Sequence, residues 1–156
     1  MATVYIPAEY KEIAERLARE DTRYGRRPIF ATYMQLMVFA AMVGYSERKG
    51  RRELESKERG SEVEERVFVN ERFDGLAYLL ALHEYKDGDI LRDSRDAECW
   101  RVIEGYAANG FECIKDWLLD SATDIDGVDT LLARMKEKAA DHVADETERL
   151  HPDVEF

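Results

Sequence analysis

Tyr33-Met34-Gln35-Leu36-Met37-Val38-Phe39-Ala40-Ala41-Met42-Val43-Gly44-Tyr45 is the longest apolar run in the chain, broken only by Gln35. Its 13 residues fall well short of the roughly 20 that a membrane-crossing helix needs. With Pro28 upstream as a helix-opening residue and Gly44 as a stop signal, the run reads as a helix from Pro28 through Phe39 to about Gly44. No polar stripe divides it, so it has to be covered on most sides. Phe30, Tyr33, Met34, Met37, Val38, Ala41 and Met42 are therefore placed at the centre of the core, and the fold class is mainly α.

Working back from this helix, Asp21-Thr22-Arg23-Tyr24-Gly25-Arg26-Arg27 forms a polar, basic connection. Before it, Tyr10, Ile13, Ala14, Leu17 and Ala18 recur at spacings of three and four, which predicts an amphipathic helix from Ala8 to about Glu20. Glu9 and Glu12 lie near its positive end. Thr3-Val4-Tyr5-Ile6 alternates polar-leaning and aliphatic residues up to Pro7, as one short strand does. Val4 and Ile6 then face inward, with Thr3 and Tyr5 outward.

Working forward, the charged run from Ser46 to Ser61 lacks apolar periodicity and is expected to be an exposed, mobile loop. Val67-Phe68-Val69 suggests a brief strand. Phe73, Leu76, Ala77, Leu79, Leu80 and Leu82 define a helix from Arg72 to about Lys86, closed by Asp87-Gly88-Asp89. A long helical region from Arg95 to Ser121 buries Trp100, Ile103, Tyr106, Ala107, Phe111, Ile114, Trp117 and Leu118. Gly105, Asn109 and Gly110 are expected to kink or split it. After the acidic turn Asp124-Ile125-Asp126-Gly127, a last helix runs from Val128 to about Thr147 with Val128, Leu131, Leu132, Met135, Ala139 and Val143 on its inner face. The expectation is a single-domain helical bundle over residues 1–150, with a frayed tail at 151–156 and a strand-helix-helix unit within 1–45.

At 156 residues and 45% apolar content, one core can bury roughly 70% of the unfolded surface. The net charge is −11, unevenly spread: residues 1–59 carry 12 Lys/Arg against 9 Asp/Glu, and residues 60–156 carry 11 against 25. The acidic part repels phosphate, whereas the modestly basic part can dock on DNA or on an acidic protein. No basic segment followed by a long apolar core opens the chain, so no signal peptide and a cytoplasmic location are expected. Cys99 and Cys113 lie fourteen residues apart on one helix, about 21 Å if it is continuous, and read as free buried thiols.

Chemical motifs fail one by one. His83-Glu84 begins a helical zinc-protease pattern, but position 87 is Asp87 rather than a second histidine. His142 and His151 stand far off, and no Cys/His set has zinc-ligand spacing. Asp87, Asp89 and Glu98 match three positions of a calcium loop, yet Leu91 and Arg92 occupy a ligand position and the glycine position. Asp120, Asp124, Asp126 and Asp129 read as helix caps rather than metal ligands. There is no phosphate-cradling glycine loop and no Gly-x-Ser-x-Gly turn. No cofactor, no metal site and no catalytic residue are assigned, and the chain is expected not to be an enzyme.

What remains is the basic N-terminal part. The order strand, helix, basic turn, helix matches a ribbon-helix-helix module, in which strands from two chains pair and enter the major groove. In that arrangement Thr3 and Tyr5 face the bases, and the start of the second helix holds a phosphate with Arg26 and Arg27. Such a unit forces a homodimer and makes a transcriptional regulator. Alternatively the strand pairs with Val67 to Val69 of its own chain and the arginines solvate a loop. Arg23, Arg26, Arg27, Arg48, Lys49, Arg51 and Arg52, with Thr3 and Tyr5, are the candidate residues for contacting nucleic acid or a protein partner.

Thr32-Tyr33-Met34-Gln35-Leu36-Met37-Val38-Phe39-Ala40-Ala41-Met42-Val43-Gly44-Tyr45, followed by Arg48, Lys49, Arg51 and Arg52, resembles the small DNA phosphorothioation-associated protein 4 family. Three further stretches agree: Asp74-Gly75-Leu76-Ala77-Tyr78-Leu79-Leu80-Ala81-Leu82, Tyr106-Ala107-Ala108-Asn109-Gly110-Phe111-Glu112 and Asp126-Gly127-Val128-Asp129-Thr130-Leu131-Leu132. The likeness spans about residues 28 to 135 and consists of packing and turn patterns, with Ala-Ala-Asn-Gly where the family has Ala-Asn-Gly-Gly. It implies a place beside the Dnd system, which puts sulfur into the DNA backbone and restricts DNA lacking that mark. With no catalytic motif in the sequence, the expected role is that of a non-catalytic accessory protein that binds DNA or the larger proteins of that system, in modification or in antiviral restriction. The resemblance carries no catalytic residue with it.

Overall fold

The computed structural model describes residues 1–19, 27–121 and 123–150. Strand β1 (Thr3–Pro7) leads through a short 3-10 turn into α1 (Lys11–Ala18). Then follow α2 (Tyr33–Ser46), β2 (Arg59–Glu64), α3 (Glu65–Asn70), α4 (Asp74–Tyr85), α5 (Asp96–Leu119) and α6 (Val128–Leu150). The fold is mainly α, with one two-stranded antiparallel sheet. The chain divides into two compact units, Met1–Asp116 and Trp117–Phe156. No helix among the described residues is long and apolar enough to cross a membrane.

The order strand, helix, helix at the N-terminus is as read, but the pairing is internal. β1 pairs with β2 of the same chain, Val4 opposite Val63 and Tyr5 opposite Glu62. Residues 67 to 69, expected as a strand, are helical in α3. Alternation sets the faces of β1: Val4 and Ile6 are buried and Thr3 and Tyr5 half-buried.

The opposite edge of β1 is occupied too. The Tyr5 N–H donates to Glu104 Oε2 at 2.8 Å, and Arg101 of α5 donates to the Thr3 carbonyl. Arg101 Nη1 also lies 2.7 Å from both Glu104 oxygens. In the ribbon-helix-helix arrangement this edge would meet a second chain; here an α5 ion pair satisfies its backbone groups.

Helix α2 starts later than Pro28. Thr32 is its N-cap, accepting from the Gln35 N–H at 3.2 Å, while the Gln35 side chain accepts from the Ala31 N–H at 3.0 Å. The first bond satisfies an orphan N–H group at the helix start, and the second ties the residue before the cap to the first turn. Residues 28–32 are not helical; the Phe30 N–H donates to the Leu17 carbonyl at 3.0 Å. Met34, Leu36, Met37, Ala40, Ala41 and Val43 are buried, whereas Met42 is exposed and Phe30, Tyr33 and Val38 are half-buried.

The element with the most buried side chains is α5. Cys99, Trp100, Val102, Ile103, Glu104, Tyr106, Ala107, Ala108, Phe111, Cys113 and Ile114 are all buried. Trp100 meets Phe68 at 5.2 Å and Tyr78 at 6.2 Å, and Phe111 stacks on Tyr10 at 5.8 Å. The glycines expected to break this helix do not, because they serve as contact points. A methyl at Gly110 would collide with the Ala40 carbonyl, and one at Gly44 with the Tyr106 carbonyl. α2 and α5 thus approach backbone to backbone through paired glycines.

The charged segment after α2 is pinned rather than free. The Arg52 N–H donates to the Gly105 carbonyl at 3.1 Å, and Asn109 Nδ2 donates to the carbonyls of Lys49 and Gly50, each at 3.1 Å. Leu54 is buried. A methyl at Gly105 would sit 2.8 Å from the Arg51 Cβ, so the small residue makes room for this segment.

In the second unit Asp124 caps α6 as its acidic turn suggested: its carboxylate accepts from the Gly127 and Thr130 N–H groups at 3.1 and 2.7 Å. Of the inner face expected for α6, Leu131 is buried, while Val128, Leu132, Met135, Ala139 and Val143 are exposed.

Candidate binding surface

Helix α2 ends in a Schellman turn. The Lys49 N–H donates to the Gly44 carbonyl at 3.2 Å and the Arg48 N–H to the Tyr45 carbonyl at 3.1 Å. The left-handed position of such a turn belongs to glycine by preference, yet Arg48 holds it with φ 54°. For an L side chain this costs roughly 1–2 kcal/mol. Arg72 after α3 and Lys86 after α4 adopt the same conformation. All three non-glycine residues with positive φ among those described are cations at helix C-termini, where the helix dipole offsets part of the strain.

Arg48 borders a cleft of about 520 Å³ shared with Tyr45, Ser46, Gly50, His83 and Tyr106. Tyr45 and His83 meet edge to face, centroids 5.0 Å apart at 80°, and Tyr45 lies 6.0 Å from Tyr106. Behind them, the Tyr106 hydroxyl donates to Glu84 Oε2 at 2.7 Å, and Arg51 Nε stands 3.3 Å from Glu84 Oε1. Burial first, then the bond to Glu84, pushes the Tyr106 hydroxyl up to about 12, so it stays a proton donor at neutral pH.

The candidate contact residues separate into groups. Arg27, Arg48 and Lys49 are exposed. Arg51 is half-buried, paired with Glu84 and lying over the Tyr85 ring at 5.6 Å. Arg52 bonds Glu9 at 2.8 Å and Glu58 at 3.4 Å. Both therefore anchor the segment they belong to. Tyr5 lies under the Arg59 guanidinium at 5.0 Å, and the Thr3 carbonyl is taken by Arg101. Arg23 and Arg26 lie outside the described residues.

The sequence did not bring Tyr45, Ser46, His83 and Tyr106 together as a site. They come from α2, α4 and α5, and no local spacing links positions 45, 83 and 106. Histidine 83 drew attention as a failed zinc ligand; its aromatic neighbours are set by tertiary packing alone. Cys99 and Cys113 are free and buried, and burial pushes both thiols up from their ordinary range. Among the described residues no group of three or more His, Cys, Asp or Glu side chains is placed to hold a metal ion.

Comparison with known proteins found no match among curated proteins and none among solved structures. A family model does match: that of DNA sulphur modification system-associated protein 4, over residues 3–152. Nearly the whole described chain lies within that match, and the protein belongs to the DNA sulphur modification system-associated protein 4 family.

Proposed function

We propose that this protein is a non-catalytic accessory component of a DNA phosphorothioation-linked modification or restriction system, acting by binding DNA or the larger proteins of that system. The observation that carries this reading is the family match over residues 3–152. The exposed cations Arg27, Arg48 and Lys49, set in the less acidic N-terminal part of the chain, support a contact with phosphate or with an acidic protein surface. The cytoplasm, where DNA is modified, is the matching location.

Two measurements test it. Affinity capture from the native host, with identification of co-purifying proteins, is expected to bring down other components of the sulphur modification system. Gel shifts on phosphorothioated and unmodified duplexes across a salt series test the DNA contact, with affinity falling as salt rises. Failure of both, with the purified protein intact and folded, would overturn the proposal.

A further inference from the structure

We propose that the cleft bordered by Tyr45, Ser46, Arg48, His83 and Tyr106 takes one unpaired nucleotide of a DNA strand, its base against the Tyr45 and His83 rings and its phosphate on Arg48. This deepens the reading above and rests on it, since it supposes that the protein works beside DNA. Its volume of about 520 Å³ lies within the roughly 300–1,000 Å³ of small-ligand sites.

The lining has the mixture that an unpaired nucleotide requires. Tyr45 and His83 stand nearly perpendicular, centroids 5.0 Å apart, and both line the cleft, which puts aromatic surface within reach of a base. Any base can stack there, because each has a π face. The Ser46 hydroxyl and the His83 ring nitrogens supply hydrogen-bonding groups at the rim. Tyr106 is the back wall, its hydroxyl already given to Glu84, and Arg51 balances that carboxylate.

Arg48 supplies the charge, and its backbone is the telling feature. Glycine would relieve the left-handed conformation at φ 54°. Asn109 clamps the next two carbonyls, at Lys49 and Gly50, so the strained turn is held from α5 as well as from α2. Arg72 and Lys86 show that dipole compensation alone can hold a cation in this conformation, but neither of them lines the cleft. Strain kept at the mouth of a ring-lined cavity points to use of the side chain. A duplex keeps its bases stacked inside the helix and cannot fill the cleft; a strand end, gap or displaced strand can.

The test uses the full chain, a short labelled oligothymidylate and a duplex, followed by fluorescence anisotropy. Arg48→Gly is expected to raise the melting temperature while weakening single-strand binding about tenfold and lowering the salt slope by about 0.7. His83→Ala, an exposed position, is expected to weaken single-strand binding about tenfold through lost stacking, with the salt slope unchanged. Duplex affinity should change little in His83→Ala and should fall less than single-strand affinity in Arg48→Gly. Unchanged single-strand affinity in Arg48→Gly, with duplex gel shifts or partner capture intact, overturns the cleft assignment and leaves the accessory role standing. Equal losses for duplex and single strand also overturn it, since the cleft would then be reading backbone phosphate alone. Absence of binding to either form, with no system protein captured, defeats both readings.

Discussion

Glu104 is a carboxylate at 2% exposure, tolerated because Arg101 and the Tyr5 N–H bond it. Removing one member of a buried pair leaves the other charge uncompensated. Arg101→Met, which keeps apolar bulk, should lower stability by about 2–4 kcal/mol in urea denaturation, the Arg101 side chain being partly exposed. A loss below about 0.5 kcal/mol, the level of an ordinary surface pair, would show that the strand edge does not depend on it. The same carboxyl carries a pH signature. Burial raises its folded-state pKa above the usual range despite the opposing pull of Arg101, so the folded state holds this proton more tightly than the unfolded chain does. Its favourable contribution is present below the ordinary carboxylate pKa and is lost as pH rises through the raised value. The stability of the wild type relative to Glu104→Gln should therefore fall as pH rises from the ordinary carboxylate range, about pH 4, through the raised value. A relative stability that rises with pH over that range would reverse the sign and sink the assignment.

Among the elements, α2 and α5 depend on two glycines where helix propensity alone would prefer alanine. At an exposed helical site Gly→Ala stabilises by about 0.5–1 kcal/mol. Gly75 in the first turn of α4 is such a site, with open space around it, and Gly75→Ala should gain that amount in thermal melts. Gly110→Ala should do the opposite, losing about 2 kcal/mol or more, because the new methyl meets the Ala40 carbonyl rather than a movable side chain. If both variants moved the melting temperature upward, the close backbone approach of α2 and α5 would be wrong. This pair also shows why Gly105 and Gly110 were misread as helix breaks. In sequence a glycine inside a helix pattern announces weakness; its reason for being there is a neighbour from another part of the chain.

At the scale of the molecule, burial is concentrated in α5 and thin along α6. Amide exchange follows local opening, and opening follows how many buried contacts must be given up. Amides of residues 99–114 should exchange slowest in a hydrogen-exchange time course, and those of residues 133–147 among the fastest within helices. Equal protection of the two segments would contradict the distribution of burial. The uneven charge also belongs to this scale. The −11 balance arises mainly after residue 60, so the cations at Arg27, Arg48 and Lys49 stand in the part of the chain least hostile to phosphate.

The helical class, the inward faces of β1, the amphipathic α1, the acidic cap of α6 and the family likeness were legible in the residue order, because each depends on spacing within a dozen positions or on local hydrogen bonds. The partner of β1, the central place of α5 over α2 and the cleft at Tyr45, Arg48 and His83 were not. Those features join residues about 35 to 100 positions apart, and nothing in local periodicity says which distant face will cover which. The charged segment after α2 makes the same point: its composition spelled an exposed loop, and the bonds to Gly105 and Asn109 that hold it exist only once α5 lies alongside. Short-range physical chemistry chose the elements; the closing of long loops around a shared core chose which of their side chains meet.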